Sequence, residues 1–380
     1  MAAFRFPPPP ALDLDGLRKE VREFLAVELA GRRPRDRART WTGFDAAFSR
    51  KLGERGWIAM TWPKRYGGHE RSAFERYVVL EELLAAGAPV AAHWIADRQS
   101  GPLLMRAGTE QQRQAILPRI AAGECYFCIG MSEPDVGSDL ASVRTRAVPV
   151  EGGFRVTGTK LWTTYGHKSH YMILFCRTGT QEERQAGTSQ FLVDLTLPGI
   201  TVRPITDLSG ESHFNEVTFD DALLPADALI GPLGGGWEQV MSELAFERSG
   251  PERFLSSFVV LVELIRALGA NPSERAVLAT GRLVAHLVTL RRMSRSVAGL
   301  LECGENPALQ AAVVKDLGAV LEQDMPEIVR TLTATEPDLG AADDLASTLA
   351  HLTLHAPSFS LRGGTREVLR GIIARGLGLR

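Results

Sequence analysis

The chain has 380 residues, of which 44% are hydrophobic and 23% are charged, and its formal net charge is −2. These values exclude a disordered chain and give no general attraction to nucleic acid or to an anionic membrane, while the length predicts two or three cooperating domains. No apolar run reaches the roughly 20 residues of a membrane-spanning helix, and the N-terminus lacks a signal-peptide pattern, so the sequence predicts a cytoplasmic protein without membrane insertion.

The first zone, residues 1–124, is predicted to be an N-terminal helical domain. Apolar residues recur at helical spacing from Leu17 to Leu29, and Gly31 is typical of the end of such a helix. Thr109 followed by Gln112 resembles a capping box. Further predicted helices cover residues 44–52, 72–86 and 109–121.

In the second zone, residues 125–231, apolar residues no longer recur at helical spacing, and this zone is predicted to be a middle β domain. Short β-rich segments alternate here with Gly, Pro and Asp, as in a small sheet or barrel. The predicted strands are 154–156, 171–176, 190–195, 200–204 and 216–219.

The third zone, residues 232–380, is again helical, and two of its segments are long enough for a bundle of antiparallel helices. The predicted helices are 237–268, 274–303, 307–332, 344–355 and 366–377. The order helical, β, helical predicts an α+β fold class.

Two groups of metal-ligating residue types do not indicate a metal site. Cys125 and Cys128 form a C-x-x-C, but no second pair follows at zinc-finger spacing, and their apolar neighbours favour two buried structural thiols. His167 and His170 have no accompanying cluster of carboxylates or cysteines.

The segment Cys128–Asp139 runs from a predicted strand into a loop of small and hydrogen-bonding residues. Gly130 and Gly137 allow the backbone to approach a flat or phosphorylated ligand, while Ser132 and Ser138 offer hydroxyl groups. A tight turn with Asp and Ser caps explains the same residues, and taken alone the segment favours that interpretation over ligand binding.

A second segment, Gly158–Thr164, leads from a turn to an aromatic residue and two hydroxyls. Trp162 can cover one face of a flat ring while the hydroxyl of Thr164 bonds to its edge. Taken alone, the pattern favours an ordinary strand with a core tryptophan.

Together, the E-P-x-x-G-S-D loop and the following G-T-K-x-W-x-T strand resemble the acyl-CoA dehydrogenase family. Supporting segments follow in the family's order, and the resemblance extends from about Leu17 to the end of the chain. These segments are Phe214–Val217, Gly234–Trp237, Phe246–Arg248, Gly363–Glu367 and Ile372–Arg375. The family pattern with the base on the long helix after the glycine-rich turn, found in bacterial members, fits this sequence better than the commoner one.

The resemblance implies an N-terminal helical domain, a middle β domain and a C-terminal four-helix bundle, with FAD between the last two. The implied reaction removes two hydrogens from the α and β carbons of an acyl-CoA, giving the trans-2-enoyl-CoA, and an electron-transfer flavoprotein is the implied acceptor. Cofactor contacts carried over by the motifs are Ile129, Met131, Ser132, Gly137, Ser138, Trp162, Thr164 and Thr365, and Ser138 and Arg248 are also expected to contact substrate.

The catalytic base is where the sequence departs from the common family pattern. Many members carry a Glu in a Tyr-Glu-Gly-Thr motif, but Gly363 stands in the place of that Glu. Glu247, directly before Arg248, matches the minority pattern, so we expect Glu247 to be the base and Arg248 to orient it. Burial would raise the pKa of Glu247 and Arg248 would lower it. A solvated helical Glu is the alternative reading of this residue.

Two segments that lend FAD contacts to a neighbouring subunit in homotetrameric members have no clear match, at residues 275–281 and 352–357. The sequence therefore favours an α2β2 heterotetramer over a homotetramer. Two other interpretations stay open: a non-catalytic or FAD-site-sharing subunit, and a dehydrogenase acting on a carrier-protein thioester. The length and shape of the acyl chain do not follow from the sequence.

Overall fold

The structure is a computed structural model that describes residues 4–248 and 250–379, except for the side chains of residues 243–247. Contacts divide the chain into two compact units. Unit 1 comprises the chain up to residue 48, residues 71–91 and the chain from residue 245 onwards, and unit 2 comprises residues 49–70 and 92–244. The predicted boundaries at residues 124 and 231 stay predictions, because the two units divide the chain on a different criterion, compactness.

The helices agree closely with those predicted near both ends of the chain. Ser72 and Thr109 each form a capping box that begins a helix. A π-helical turn, Ala96–Ser100, joins two helices that the sequence pattern did not reveal. The helices are α1 Asp15–Glu28, α2 Pro34–Arg37, α3 Ala46–Glu54, α4 Ala73–Ala85, α5 Ala91–Ile95, α6 Gly101–Ala107, α7 Glu110–Ala121, α8 Gly236–Glu247, α9 Phe258–Leu268, α10 Glu274–Glu302, α11 Ala308–Thr333, α12 Asp344–Phe359 and α13 Arg366–Gly376.

The single helix predicted over residues 237–268 is wrong. The structure divides it into α8 and α9, with a 3-10 turn, Pro251–Arg253, between them. Pro251 has no backbone N–H to continue a helix and disfavours the helical conformation of the residue before it. Gly250 accordingly has extended backbone, with φ −76° and ψ 171°.

Unit 2 contains one eight-stranded mixed sheet with the order β6-β7-β3-β2-β4-β5-β8 and with β1 paired to β4. The pairs β1–β4 and β2–β4 are parallel, and the others are antiparallel. Fully buried residues such as Phe191, Phe219 and Leu174 form its core. The strands are β1 Phe127–Gly130, β2 Arg146–Val150, β3 Gly153–Thr164, β4 Tyr171–Arg177, β5 Thr188–Asp194, β6 Ile200–Ile205, β7 Phe214–Pro225 and β8 Leu229–Ile230.

Unit 1 is built from helices of both ends of the chain. In its C-terminal part, α11 packs against α9, α10, α12 and α13. Glu81 on α4 accepts two hydrogen bonds from Arg291 on α10, at 2.6 and 2.9 Å, so a buried carboxylate joins helices that are distant in sequence. Burial opposes ionisation of Glu81, but the guanidinium of Arg291 outweighs it and lowers the pKa of that carboxyl. In chain order, helices precede and follow one mixed sheet, which confirms the predicted α+β fold class with its terminal helical regions and middle β region.

Two glycines inside long helices of unit 1 give opposite predictions for replacement by alanine. A Cβ at Gly318 on α11 would lie 2.0 Å from the carbonyl oxygen of Arg253, whereas a Cβ at exposed Gly281 on α10 would meet nothing within 4 Å. We expect Gly318→Ala to destabilise the protein by about 1–3 kcal/mol and Gly281→Ala to stabilise it by up to about 1 kcal/mol. Chemical unfolding midpoints check the pair, and an unchanged midpoint for Gly318→Ala would contradict this packing.

Candidate functional site

The loop that follows β1 is a tight turn whose backbone is paired to itself. Glu133 and Val136 exchange two backbone hydrogen bonds, of 2.8 and 3.1 Å, with Pro134 and Asp135 at the tip. Among the described strands, β1 pairs with β4 alone, so its other edge has no strand neighbour. The turn interpretation of this segment is therefore correct.

A buried ion pair fixes this loop against β3. The ammonium of Lys160 is fully buried and donates to Glu133 Oε1 at 2.8 Å and to the carbonyl oxygen of Met131 at 3.0 Å. The carboxylate of Glu133 also accepts from the backbone N–H groups of Arg144 and Thr145. Each polar atom of the pair thus has a partner, as a charge buried away from water requires.

The ionisation of Glu133 follows from these partners. Burial opposes the charged form, but the ammonium of Lys160 and the two backbone N–H groups outweigh it and lower the pKa of Glu133 below its ordinary value. Both residues belong to the motifs quoted above, yet the sequence analysis gave neither of them a role. The signal was present for Lys160, the one charged residue of its motif, whereas Glu133 is one of three acidic residues in the loop motif.

Trp162 stands out from the sheet at an irregularity in β3. The register between β3 and β7 shifts between Lys160 and Thr163, and Trp162 has φ +60°, a conformation that non-glycine residues rarely adopt. Its side chain is 55% exposed and meets the edge of Phe214 at a centroid distance of 5.9 Å. The core-tryptophan interpretation is therefore wrong, because the ring offers an open aromatic face.

The residues predicted to contact the cofactor from unit 2 lie on three connected pieces of chain. Ile129 is in β1, Met131 and Ser132 are partly exposed directly after it, and Gly137 and Ser138 are exposed beyond the turn. The N–H of Leu161 donates to the carbonyl oxygen of Ser132 at 2.9 Å, which joins the loop to the strand of Trp162 and Thr164. An open aromatic face, hydroxyl groups and a strand edge are chemically suited to a flat, polar-edged ring such as a flavin.

The remaining predicted residues lie in unit 1. Arg248 is buried, and its Nε donates to the carbonyl oxygen of Gly363 at 2.9 Å. Thr365 caps α13 by accepting from the N–H of Val368 at 3.4 Å. Glu247 is the last residue of α8, but its side chain lies outside the described residues.

The cysteines and histidines set aside above occupy structural positions. Cys125 and Cys128 are buried free thiols, and burial raises their pKa values to about 11 and about 12. His170 Nδ1 accepts from the N–H of Tyr126 at 3.0 Å, and His167 Nδ1 lies 2.8 Å from Asn215 Oδ1.

Removing the carboxylate of the buried pair should destabilise unit 2. Glu133→Gln would leave the ammonium of Lys160 buried without a counter-charge, and we expect a loss of about 3–5 kcal/mol. Asp135→Asn is the matched control in the same turn, because its ion pair with Arg144 is exposed and we expect a change below about 1 kcal/mol. Urea unfolding measures both, and equal effects for the two variants would contradict a dominant role for the buried pair.

Comparisons with known proteins give one consistent assignment. The model of the acyl-CoA dehydrogenase N-terminal domain matches residues 13–124, and that of the middle domain matches residues 128–222. Acyl-CoA dehydrogenase IpdE1 of Mycobacterium tuberculosis is 35% identical over 97% of this chain and 98% of its own length, and IpdE1 of Mycolicibacterium smegmatis is 33% identical over 97% and 98%.

Solved structures agree with the sequence relatives. The "Tcur3481-Tcur3483 steroid ACAD" superimposes with a TM-score of 0.87 at 26% identity, covering 99% of this chain and 100% of its own. The ChsE4-ChsE5 complex from Mycobacterium tuberculosis gives a TM-score of 0.84 at 27% identity, covering 99% and 100%. No helix among the described residues has both the length and the apolar character that crossing a membrane requires. With matching family models and full-length relatives of this identity, the chain belongs to the acyl-CoA dehydrogenase family of flavoprotein oxidoreductases.

Proposed function

We propose that this protein catalyses FAD-dependent α,β-dehydrogenation of an acyl-CoA thioester, with Glu247 as the base that removes the α proton. The observation that carries this proposal is the hydrogen bond from Arg248 Nε to the carbonyl oxygen of Gly363. It brings the backbone beside Glu247 to the loop from which most family members present their base. Gly363 has no side chain, so a carboxylate from the end of α8 meets no competing group there.

The proposed cofactor contacts are those of the open aromatic face and strand edge. Trp162 would cover the flavin ring, Thr164 and Ser132 would bond to its edge, and the backbone of Ile129 and Met131 would meet it at the edge of β1. Gly137 and Ser138 would face the pyrophosphate or the acyl-CoA, and Thr365 would contact the cofactor near its phosphates. FAD, when bound, supplies the hydride acceptor that no side chain provides.

The chain's own residues would perform the remaining steps. A carboxylate within hydrogen-bond reach of the α carbon's proton can accept it as the β hydride leaves. The negative charge that develops on the thioester oxygen needs hydrogen-bond donors fixed in advance. Arg248 would orient Glu247 and contact the substrate, and Ser138 would contribute to substrate binding.

The substrate class is the finer part of the proposal. A solved relative described as a steroid acyl-CoA dehydrogenase matches the whole chain at 26% identity. We propose a CoA thioester at the end of a steroid side chain as the preferred substrate, rather than a straight-chain fatty acyl-CoA. We also propose an electron-transfer flavoprotein as the electron acceptor, on family resemblance alone.

Flavin absorbance tests the reaction and the base. Under anaerobic conditions, we expect the 450 nm absorbance of the flavin-loaded wild type to bleach faster with a steroid side-chain CoA thioester than with octanoyl-CoA. Glu247→Gln should bind FAD but bleach about 10²–10⁴-fold more slowly, because it removes a general base. Stopped-flow absorbance at saturating substrate gives both rates.

The control for this variant lies on the same helix. Glu238 is an exposed residue in the first turn of α8, so Glu238→Gln should bleach at the wild-type rate. If Glu247→Gln bleaches at the wild-type rate, a residue other than Glu247 must be the base. A wild type that binds FAD but is bleached by neither thioester would contradict the dehydrogenase proposal.

We further propose that the chain works as one half of an α2β2 heterotetramer. The segments that lend FAD contacts to a neighbouring subunit in homotetrameric members have no clear match at residues 275–281 and 352–357. Two solved relatives are themselves described by a pair of names, Tcur3481-Tcur3483 and ChsE4-ChsE5. The partner would be a second subunit of the same family that completes the FAD site.

Purification of the chain alone tests this assembly. We expect less than one FAD per chain, and we expect full flavin content only after co-expression with a family member from the same genome. Light scattering and the ratio of absorbance at 450 and 280 nm measure size and flavin content. A stable homotetramer carrying one FAD per subunit would contradict the heterotetramer.

A further inference from the structure

The connection between β4 and β5 lies against the loop that follows β1. We call residues 178–187 the β4–β5 loop. Arg184 Nη2 in this loop donates to Asp139 Oδ1 at 2.8 Å. Asp139 directly follows Ser138, which we propose to contribute to substrate binding. The β4–β5 loop therefore borders the proposed substrate site and carries a guanidinium to that border.

A buried guanidinium fixes the β4–β5 loop beside this segment. Arg177, the last residue of β4, is buried, and its Nη1 donates to the carbonyl oxygens of Thr180, at 3.3 Å, and Arg184. Its Nη2 donates to the carbonyl oxygen of Ala141 at 2.6 Å. Burial lowers the pKa of Arg177, and the carbonyls replace the water that the charge has lost. One buried cation thus sets the spacing between the two segments.

The backbone of Arg184 is held in a conformation that costs free energy. Its φ is +45°, in the left-handed region that residues with a side chain rarely adopt. Two hydrogen bonds maintain it, from Arg177 to its carbonyl oxygen and from its own N–H to the carbonyl oxygen of Gln181 at 3.2 Å. Strained backbone of this kind persists where the surrounding structure imposes it, and it is concentrated at functional sites.

The two carboxylates of the β4–β5 loop are engaged at the beginning of the loop. Glu183 Oε2 accepts from the N–H of Thr180. The pKa of Glu182 is lowered by its own backbone N–H and by the hydroxyl of Thr180, because both favour the charged form. The negative charges of the loop are therefore directed toward Thr180, and the positive charge of Arg184 is directed toward Asp139.

The ion pair of Arg184 and Asp139 can be exchanged at little cost. Both side chains are exposed, at 52% and 62%, and ion pairs exposed to water contribute little to stability. Asp139 also accepts from the hydroxyl of Ser142, the largest cause of the lowered pKa of its carboxyl, so it keeps a partner when Arg184 turns away. A guanidinium binds a phosphate through two parallel hydrogen bonds, so a phosphate beside Ser138 would displace Asp139 from Arg184.

We propose that Arg184 binds a phosphate of the CoA nucleotide, exchanging Asp139 for it, so that the β4–β5 loop recognises the end of the substrate opposite the acyl chain. This inference rests on the proposed function of the protein. The pyrophosphate of FAD offers the same chemistry, and the experiments below distinguish the two sources. Arg184 does not touch the reacting atoms, so it strengthens binding of the ground state and the transition state alike and lowers KM rather than raising kcat.

Steady-state kinetics of the flavin-loaded enzyme, with its partner subunit where one is required, provide the first test. The substrates are the CoA thioester that bleaches the flavin fastest and the pantetheine thioester of the same acid, which lacks the nucleotide. Arg184→Gln should raise KM for the CoA thioester about tenfold, because it removes a hydrogen-bonded charge. KM for the pantetheine thioester and kcat for both should stay at wild-type values. Arg184→Lys keeps the charge without the paired hydrogen bonds and should give an intermediate KM for the CoA thioester.

The matched control is an arginine in a comparable ion pair on the same sheet. Arg155 Nη1 lies 2.7 Å from Asp221 Oδ2, and both side chains are exposed. Arg155→Gln removes the same charge from unit 2 away from the β4–β5 loop. We expect wild-type KM for both thioesters, so a change specific to Arg184→Gln cannot come from the net charge of the protein.

Calorimetry with 3-thiaoctanoyl-CoA measures binding without turnover, because sulfur at the β position prevents hydride loss. Asp139→Asn removes the competing carboxylate and keeps a side chain that can bond to Ser142. It should tighten binding about twofold to fivefold, the range expected for an exposed ion pair. In the Arg184→Gln background the same substitution should give no gain, because the guanidinium that it releases is absent.

Unchanged KM in Arg184→Gln, or an equal rise in KM for the pantetheine thioester, would overturn the proposal. A lowered affinity for FAD, with wild-type KM once flavin is saturating, would assign the phosphate to FAD and overturn it as well. If Arg184→Gln lowers the melting temperature, the results for Arg184→Lys and Asp139→Asn decide instead. Absence of bleaching by every thioester in the wild type would contradict the proposed function, and calorimetry would still show whether Arg184 binds CoA.

Discussion

A lysine ammonium buried away from water is tolerated only where the surrounding atoms replace its hydration, and this constraint shapes a loop in each unit. In unit 2, Lys160 donates to the carbonyl oxygen of Met131 and to Glu133. In unit 1, Lys315 donates to the carbonyl oxygens of Gly364 and Ser360. In both places the partners include main-chain carbonyls of a loop, so the requirement to satisfy the charge also fixes the course of the backbone.

The two lysines meet this requirement on different kinds of element, Lys160 on a strand and Lys315 on a helix. Glu133 gives Lys160 a buried counter-charge. Before α13, Lys315 and Arg248 donate to the main-chain carbonyls of Gly364 and Gly363.

The sequence predicted the fold class, most helices, most strands and both motif segments, because these depend on local periodicity and on residue types at close spacing. The break at Pro251 was also visible in the sequence but was outweighed by the helical pattern on either side. The pairing of Glu133 with Lys160 could not be derived, because its partners are 27 residues apart and meet only when β3 forms. Lys315 belongs to no motif, although Ala311, Ala312 and Ala319, one helical turn away, mark the buried face of α11 on which it lies. The exposure of Trp162 depends on a register shift that strand patterns do not reveal.

The backbone of residues 362–365, the loop before α13, explains why a base at the end of α8 is consistent with the rest of unit 1. Gly363 and Gly364 have φ values of +69° and +98°, which side-chain-bearing residues rarely adopt. A glutamate at position 363 would therefore be strained in this conformation, and relaxing it would turn the carbonyl away from Arg248. The hydrogen bond from Arg248 to the Gly363 carbonyl and a glutamate at position 363 thus require different conformations of the same backbone. A chain that keeps the cations on these carbonyls has to take its carboxylate from another element, and Glu247 directly precedes the arginine that makes the contact.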